Sequence, residues 1–385
     1  MSTQPTTPSG TQATTPSGTQ AVTHGAGFSE AARAFPLEFG LDTFGDRGAD
    51  GQGRPLSHAQ TIRDVMEQGV LADQVGVDVF SIGEHHTEDF PMPAGDVVLA
   101  AIAGQTSRIR LGSAVTVLSS DDPVRIFQRY STLHALSGGR AEVVLGRGSS
   151  TESFPLFGYD LADYDVLFDE KARLFARIRA GGPVTWEGTT RAALTDQEIV
   201  PFTESGPLPA WIGVGGNPQS VLRAAKLDFP LLLAIIGGNP LRFKPFTQLY
   251  RAVRADTGRP QLPIGMHTPG HLADTDEEAF DQFAPLMQDA MRKMAPVRGF
   301  RVPGMDQFRH EVGPDGALYV GSPETVARKI AANLPKLDAT RFNLKFAMPR
   351  MPQRDILHAI ELYGTKVVPR VRELLAERAD EEAAA

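Results

Sequence analysis

The sequence predicts one α/β domain built as a (β/α)8 barrel, the TIM-barrel fold, with insertions. From residue 37 onward, eight short apolar segments alternate with longer amphipathic ones, which is typical of β-α units repeated around a parallel sheet. The short segments are continuously apolar, as expected of strands covered on both faces. A chain of 385 residues with 41% hydrophobic residues suits one large barrel domain.

The elements follow in chain order. The candidate strands are residues 37–42, 78–82, 109–117, 141–145, 210–214, 230–235, 263–267 and 342–347. The helix after the third strand is expected to end at Gly138–Gly139, since glycine adopts the left-handed cap conformation. Another helix is expected to start at Ser322-Pro323-Glu324. Two connections, residues 181–208 and 295–318, are too long for plain loops, and we interpret them as lids or oligomer contacts.

The two ends of the chain differ from the predicted barrel, which we assign to residues 35–372. Residues 1–27 are rich in Thr, Pro, Ser and Gly and hold a tandem octapeptide, so we expect a disordered tail. Residues 373–385 form an Ala/Glu-rich tail.

Composition excludes several classes of function. The net charge is −8 without a basic block, which argues against nucleic-acid binding. The absence of cysteine excludes disulfides, thiolate metal sites and a cysteine nucleophile. There is no signal-peptide pattern and no apolar run near the roughly 20 residues that span a bilayer. We therefore expect a cytoplasmic protein without a membrane partner.

A pair of histidines follows the second predicted strand, in Gly83-Glu84-His85-His86. Active sites of such barrels lie at the carboxyl ends of the strands, and a histidine there can exchange protons near neutral pH. His85 is therefore the candidate catalytic residue, and the alternative is a histidine that only bonds its loop. No metal site is predicted, because neighbouring residues of an extended chain point to opposite sides and the first strand offers no His-x-His.

Two glycine-containing segments suit a phosphate group. Gly146-Arg147-Gly148-Ser149-Ser150 follows the fourth strand and offers a guanidinium with close backbone amides, although a turn with a surface ion pair is an equal alternative. Gly215 and Gly216 follow the fifth strand and open a helix, where backbone amides bind anions. Pro218 and Thr151 each stand where Gly-x-Gly-x-x-Gly requires its last glycine, so a Rossmann dinucleotide site is disfavoured.

Two further features leave alternatives open. The small residues of the third strand would let a flat ring approach the backbone, or are simply barrel core. His267 and His271 are separated by Pro269 and Gly270, which predict a loop, so we interpret the histidines as a polar pocket wall or plain surface.

Five motifs in order and spacing resemble the luciferase-like flavin-dependent monooxygenases. They are Glu84-His85-His86, the run from Leu111 to Leu118, Asp122-Pro123-Val124-Arg125, Leu136-Ser137-Gly138-Gly139-Arg140 and Gly146-Arg147-Gly148. Each motif alone is weak, and the five in register are specific. The resemblance covers roughly residues 37–370 and implies the barrel fold and a homodimer.

The resemblance also implies roles for individual residues. His85 matches the catalytic histidine of the family, Ala114–Val115 the bulge that often holds a cis peptide under the flavin, and Arg147 the phosphate ligand. Gly215 and Gly216 match a second phosphate position at which some members carry other residues. The remaining candidates for cofactor binding are Glu84, Gly146, Ser149, Val214 and Ser220.

The implied activity uses reduced FMN and dioxygen to oxidise a small organic substrate. Residues 295–318 are the expected lid, and a separate flavin reductase is the favoured source of the reduced flavin. Three alternatives stay open: a deazaflavin-dependent hydride transfer on the same barrel, a non-catalytic flavin carrier, and a metal-dependent hydrolase. Against the carrier stands His85, which a carrier would not need.

Overall fold

A computed structural model of the protein describes residues 27–148, 151–204, 206–299 and 301–384. The N-terminal octapeptide repeat and Ser149 lie outside the described residues.

The central sheet is a closed parallel barrel, which confirms the predicted fold. Its strand order is β3-β2-β1-β12-β10-β9-β8-β5-β4. Since β3 and β4 are the two halves of the predicted third strand, the two ends of the sheet meet and close a barrel of eight strands. The barrel strands are β1 (Glu38–Thr43), β2 (Val79–Ile82), β3 (Arg110–Ser113), β4 (Thr116–Val117), β5 (Val143–Gly146), β8 (Ala210–Val214), β9 (Leu231–Ala234), β10 (Ile264–Leu272) and β12 (Arg341–Lys345).

Helices surround the barrel and end largely where the sequence predicts. The helix after the third strand ends at Leu136, and Gly138 and Gly139 follow with positive φ angles. The helix predicted at Ser322-Pro323 begins at Pro323. The helices are α1 (Glu30–Arg33), α2 (His58–Gln74), α3 (Gly95–Ala103), α4 (Pro123–Leu136), α5 (Ser153–Phe157), α6 (Tyr164–Arg179), α7 (Pro218–Lys226), α8 (Lys244–Asp256), α9 (Asp276–Arg298), α10 (Met305–Val312), α11 (Pro323–Asn333), α12 (Gln353–Leu362) and α13 (Val368–Ala384).

The two long connections contain structure of their own. Residues 181–208 hold an antiparallel hairpin of β6 (Val184–Trp186) and β7 (Leu194–Gln197). Residues 295–318 hold the end of α9 and all of α10, and β11 (Tyr319–Gly321) follows and pairs with β10. The last helix, α13, continues to Ala384 through the residues interpreted as a C-terminal tail.

Most of the apolar core lies between the sheet and the helices, whereas the barrel interior is largely polar. Inside the barrel, Val144, Trp211 and Leu232 form one small apolar cluster, with Val115 packed against it. Below this cluster, at the amino ends of the strands, lies an ionic layer of Glu38, Arg110, Glu142 and Arg341. Above it, at the carboxyl ends, His267 Nδ1 lies 2.6 Å from Asp42 Oδ2, and Lys345 Nζ lies 2.5 Å from Asp46 Oδ1.

The loop predicted around His267 and His271 is wrong. Both histidines lie within β10 and are buried. The proline is tolerated because β9 pairs with β10 only as far as His267, so the missing N–H of Pro269 is not needed there. A Cβ at Gly270 would lie 2.1 Å from the Tyr319 carbonyl oxygen, so glycine allows β11 to approach. Pro269 and Gly270, which predicted a loop, lie where β10 stops pairing with β9 and begins to pair with β11.

Candidate active site

The third barrel strand is interrupted at the mouth, at the predicted bulge. The Ala114–Val115 peptide is cis and separates β3 from β4. The side chain of Val115 points into the barrel, where Gly146 and Gly213 leave room for it: a Cβ at Gly146 would lie 2.3 Å from Val115 Cγ2. The absence of side chains at Gly146 and Gly213 therefore makes room for the side chain of Val115.

Glu84 fixes the bulge from the neighbouring loop. Its backbone N–H donates to the Val115 carbonyl at 3.0 Å, and its Oε2 accepts from the Val117 N–H at 2.9 Å. Its Oε1 lies 2.9 Å from His86 Nε2. On the outer side, Thr116 Oγ1 lies 3.1 Å from the hydroxyl of Tyr130, and burial raises the pKa of that tyrosine to about 12. Tyr130 therefore stays protonated and able to donate.

His85 is held by a carboxylate and two aromatic rings. Its Nδ1 lies 2.8 Å from Oε1 of Glu152, which comes from the connection after β5. The rings of Phe44 and Phe90 lie 5.0 and 5.1 Å from the imidazole, centroid to centroid. The two histidines diverge, because His86 faces Glu84 instead.

These groups line one cavity that opens at the mouth of the barrel. It is bordered by residues from the loops after β1, β2 and β5 and by the bulge: Phe44, Glu84, His85, His86, Ala114, Val115, Val117, Gly148, Glu152 and Ser153. Four sequence-predicted residues, Glu84, His85, Ala114 and Val115, are thereby brought together. Acid–base groups and a flat stretch of backbone meet in a partly apolar space, as in sites that hold a planar cofactor.

Arg147 lies beside this cavity, next to the cavity residue Gly148. Its guanidinium pairs with the exposed carboxylate of Asp165 and stacks 4.1 Å above the ring of Tyr164. The Tyr164 hydroxyl donates to the Gly148 carbonyl at 2.9 Å, and burial raises the pKa of this tyrosine although Arg147 partly lowers it. The Nε atom of Arg147 is buried and has no hydrogen-bond partner within the described residues. The ion pair of the alternative interpretation is therefore present, and it does not use the Nε donor of the guanidinium.

We call Gly215 and Gly216 the glycine cradle. They follow β8, which pairs with β5, the strand that leads into Arg147. Gly215 and Gly216 are exposed, and a Cβ at either would meet no described atom within 4 Å. Asn217 then caps α7 by accepting from the Gln219 N–H at 2.9 Å. Val214 and Ser220 are buried on either side of the glycines. The cradle and the guanidinium fit the phosphate end of a flavin nucleotide.

Comparison with known proteins identifies the family. The model of the family described as luciferase-like monooxygenase matches residues 38–340. An uncharacterized protein of Sinorhizobium fredii is 32% identical over 346 residues, 84% of this chain and 95% of that protein. Limonene 1,2-monooxygenase of Rhodococcus erythropolis is 23% identical over 77% of this chain and 78% of its own length. The chain belongs to the luciferase-like monooxygenase family. This membership confirms the family and the enzyme class that the motifs predict.

Solved structures confirm the fold of this family member. Monooxygenase RslO1 from Streptomyces bottropensis superposes with a TM-score of 0.75 at 22% identity, over 86% of this chain and 99% of that one. The oxygenating constituent of 3,6-diketocamphane monooxygenase of Pseudomonas putida, in complex with FMN, gives 0.69 at 19% identity, over 88% and 99%. A coenzyme F420 dependent tetrahydromethanopterin reductase from Methanopyrus kandleri gives 0.66 at 18% identity, over 88% and 100%.

Within the part of the chain that the structure describes, no group of three or more His, Asp or Glu residues could hold a metal ion. None of the described helices is long and apolar enough to cross a membrane.

Sequence reasoning missed several residues of the site of this luciferase-like protein, among them Phe44, Glu152 and Asp165. Phe44 follows the first strand, so a survey of every strand end would have found it. Glu152 lies in the connection after β5 and Asp165 in α6, both beyond the motif Gly146-Arg147-Gly148.

Proposed function

We propose that this protein is a monooxygenase that binds reduced FMN at the barrel mouth and uses dioxygen to oxidise a small organic substrate. The observation that carries the proposal is the presence of three parts at one end of the barrel: the Ala114–Val115 bulge, His85 in the same cavity, and the glycine cradle after the strand that pairs with the strand of Arg147. Bound reduced flavin would supply the electrons that activate dioxygen. The named relatives and the FMN-bound neighbour support this choice of cofactor.

Each residue of the site would contribute a separate task. Arg147 and the amides around Gly215 and Gly216 would hold the phosphate, while Ala114 and Val115 would support the ring from below. His85 would hold or release a proton at its ring nitrogens beside the reacting atoms. The apolar rings of Phe44 and Phe90 around His85 would exclude water and favour a substrate of low polarity.

Two parts of the proposal concern partners. We propose a separate reductase as the source of reduced FMN, because the described residues form one barrel sheet and one small hairpin and neither is a nicotinamide-binding domain. A homodimer, as the resemblance implies, is to be tested by light scattering of the purified protein.

The proposal is tested by anaerobic titration with reduced FMN, reduced deazaflavin or oxidised FMN. We expect reduced FMN to bind, and the dissociation constant to rise at least about tenfold in Arg147→Ala through loss of a charge-assisted phosphate contact. Arg173→Ala is the matched control, since this arginine is half-exposed and its described ion pair, with Asp169, lies within α6. Admission of dioxygen should then reoxidise the bound flavin at a rate that differs from free flavin and changes in His85→Ala.

The other outcomes of this titration would contradict the proposal in distinct ways. Selective binding of the deazaflavin would assign hydride transfer to the site. Bound FMN that reoxidises like free FMN, with or without His85, would indicate a carrier.

A further inference from the structure

The contact between His85 and Glu152 joins two connections of the barrel. His85 follows β2 and Glu152 follows β5, and the 2.8 Å contact joins Nδ1 of the ring to Oε1 of the carboxylate. Both side chains line the cavity, and they are 14% and 22% exposed. The contact is thus formed inside the proposed site and shielded from most of the solvent.

A carboxylate at Nδ1 determines where a neutral imidazole carries its proton. An ionised carboxylate only accepts hydrogen bonds, so the proton must lie on Nδ1. The lone pair of Nε2 is then available, and Nε2 has no hydrogen-bond partner within the described residues. The rings of Phe44 and Phe90 pack against the imidazole and limit its rotation about the side-chain bonds.

The neighbouring pair of His86 and Glu84 serves another purpose. Both oxygens of Glu84 are engaged, one by His86 and the other by the Val117 N–H, so this carboxylate stabilises the bulge. The two histidines therefore have different carboxylates. Glu84 comes from the same loop as its histidine, whereas Glu152 reaches His85 from the connection that also carries Arg147.

We propose that Glu152 is a positioning residue that holds the proton of neutral His85 on Nδ1 and presents Nε2 to the reacting groups. This inference rests on the proposed function. When a proton of a reacting group moves to Nε2, the imidazolium that forms remains next to the carboxylate of Glu152, which stabilises its charge. The proton returns from Nε2 in the reverse step, and Glu152 itself stays ionised throughout.

The test measures the tautomer of His85 in the protein without flavin. Nitrogen-15 spectra of histidine-labelled protein report which ring nitrogen carries the proton, and comparison with His85→Gln assigns the signals. We expect the Nδ1–H form in the wild type and in Glu152→Gln, whose amide oxygen still accepts. We expect a shift to Nε2–H in Glu152→Met, which has similar size and no acceptor. Glu198→Met, at an exposed position outside the site, is the matched control.

A second measurement links the tautomer to the chemistry. In Glu152→Met, the rate at which dioxygen reoxidises bound reduced FMN should change about tenfold or more in the same direction as in His85→Ala, with FMN affinity within about threefold of wild type. An Nε2–H signal in the wild type, or an unchanged tautomer in Glu152→Met, would overturn the inference. If FMN fails to bind, the proposed function fails while the tautomer still tests the role of Glu152.

Discussion

At the residue scale, two glycines at the mouth are surrounded very differently. A methyl group at Gly146 would lie 2.3 Å from Val115 Cγ2. Val115 also packs against the apolar cluster inside the barrel. We expect Gly146→Ala to lower the free energy of unfolding by about 1–3 kcal/mol, because the added methyl group would force the Val115 side chain out of its packed position. Urea unfolding measures this loss. A variant as stable as the wild type would refute the placement of Val115.

Gly215→Ala is the companion substitution with the opposite expectation. Its Cβ would enter open space, so we expect the free energy of unfolding to stay within about 0.5 kcal/mol of wild type. The same methyl group would occupy the cradle proposed for the phosphate, and the dissociation constant of FMN should rise at least about tenfold. Calorimetric titration measures the affinity. Unchanged FMN affinity would place the phosphate elsewhere.

The position of individual candidate residues at the barrel mouth was predictable where the signal is local in sequence. His85 and Arg147 each follow an apolar strand, and the barrel fold brings such positions to one mouth. Glu152 was not predictable in the same way, since its partner is 67 residues away and only the folded chain shows which loops touch. The loop predicted around His267 and His271 was wrong because Pro269 and Gly270 are local turn signals. The change of pairing partner that these two residues allow in β10 is a tertiary effect, which the local sequence does not show.

At the element scale, Lys329 joins α11 to the connection predicted as the lid. Its buried ammonium donates to the carbonyls of Val312, Gly313 and Leu318 at 2.6 to 3.0 Å. These carbonyls include the C-terminal end of α10, where a cation interacts favourably with the helix dipole. Burial lowers the pKa of Lys329 to about 8, although Glu311 and Asp315 partly oppose the change.

This lowered pKa predicts how stability depends on pH. The unfolded lysine, with its usual pKa of 10.5, holds more protons than the folded one above pH 8, so the contribution of Lys329 to the unfolding free energy rises with pH in this window. We expect the wild type to gain about 2 kcal/mol relative to Lys329→Met between pH 8 and pH 10. Denaturant unfolding at both pH values measures the difference. Parallel pH profiles would contradict it, and Lys366→Met at an exposed position is the control.

The type and order of the elements were largely evident from the sequence. Eight apolar segments became eight barrel strands because each is long enough to form a strand and is covered by an amphipathic helix. The interruption of the third strand was expected only from the family resemblance, since by residue type Ala114 and Val115 suit a strand as well as a bulge. The cause of the interruption is tertiary. Glu84 binds the backbone of the bulge, and the side chain of Val115 fits against Gly146, which has no Cβ.

At the scale of the whole molecule, the candidate site and the buried ionic layer lie at opposite ends of the barrel. The cavity and its histidine lie at the carboxyl ends of the strands. The amino ends are joined across the interior by the ionic layer, in which Arg341 Nη1 lies 2.5 Å from Glu142 Oε1 and Nη2 lies 2.8 Å from Glu38 Oε2. Burial alone would raise the pKa of Glu38, but Arg341 and Arg110 outweigh it and hold the pKa below the usual value. The stability from Glu38 is therefore lost only as the pH falls through this lowered value.

Removal of one charge from this layer should destabilise the fold without disturbing the mouth. Glu142 is fully buried, and Glu142→Gln would leave the guanidinium of Arg341 with Glu38 as its remaining carboxylate partner in the layer. We expect the free energy of unfolding to fall by about 3–5 kcal/mol, since an uncompensated charge would remain buried. FMN affinity of the folded protein should stay within about threefold, because the layer lies at the opposite end of the barrel from the proposed site.

The double variant Glu142→Met with Arg341→Met distinguishes two effects on the free energy of unfolding. One is the net contribution of the ion pair, and the other is the destabilisation caused when only one partner is removed. Apolar side chains of similar volume leave no buried charge between these two positions, so the double variant should recover part of the loss seen in Glu142→Gln. Asp289→Asn, which breaks an exposed pair with Arg292, should cost less than about 1 kcal/mol and serves as the surface control. Denaturant unfolding of the four proteins gives the comparison. A loss of FMN affinity in Glu142→Gln that matches its loss of stability would show that the two ends of the barrel are coupled, against the separation argued from the structure.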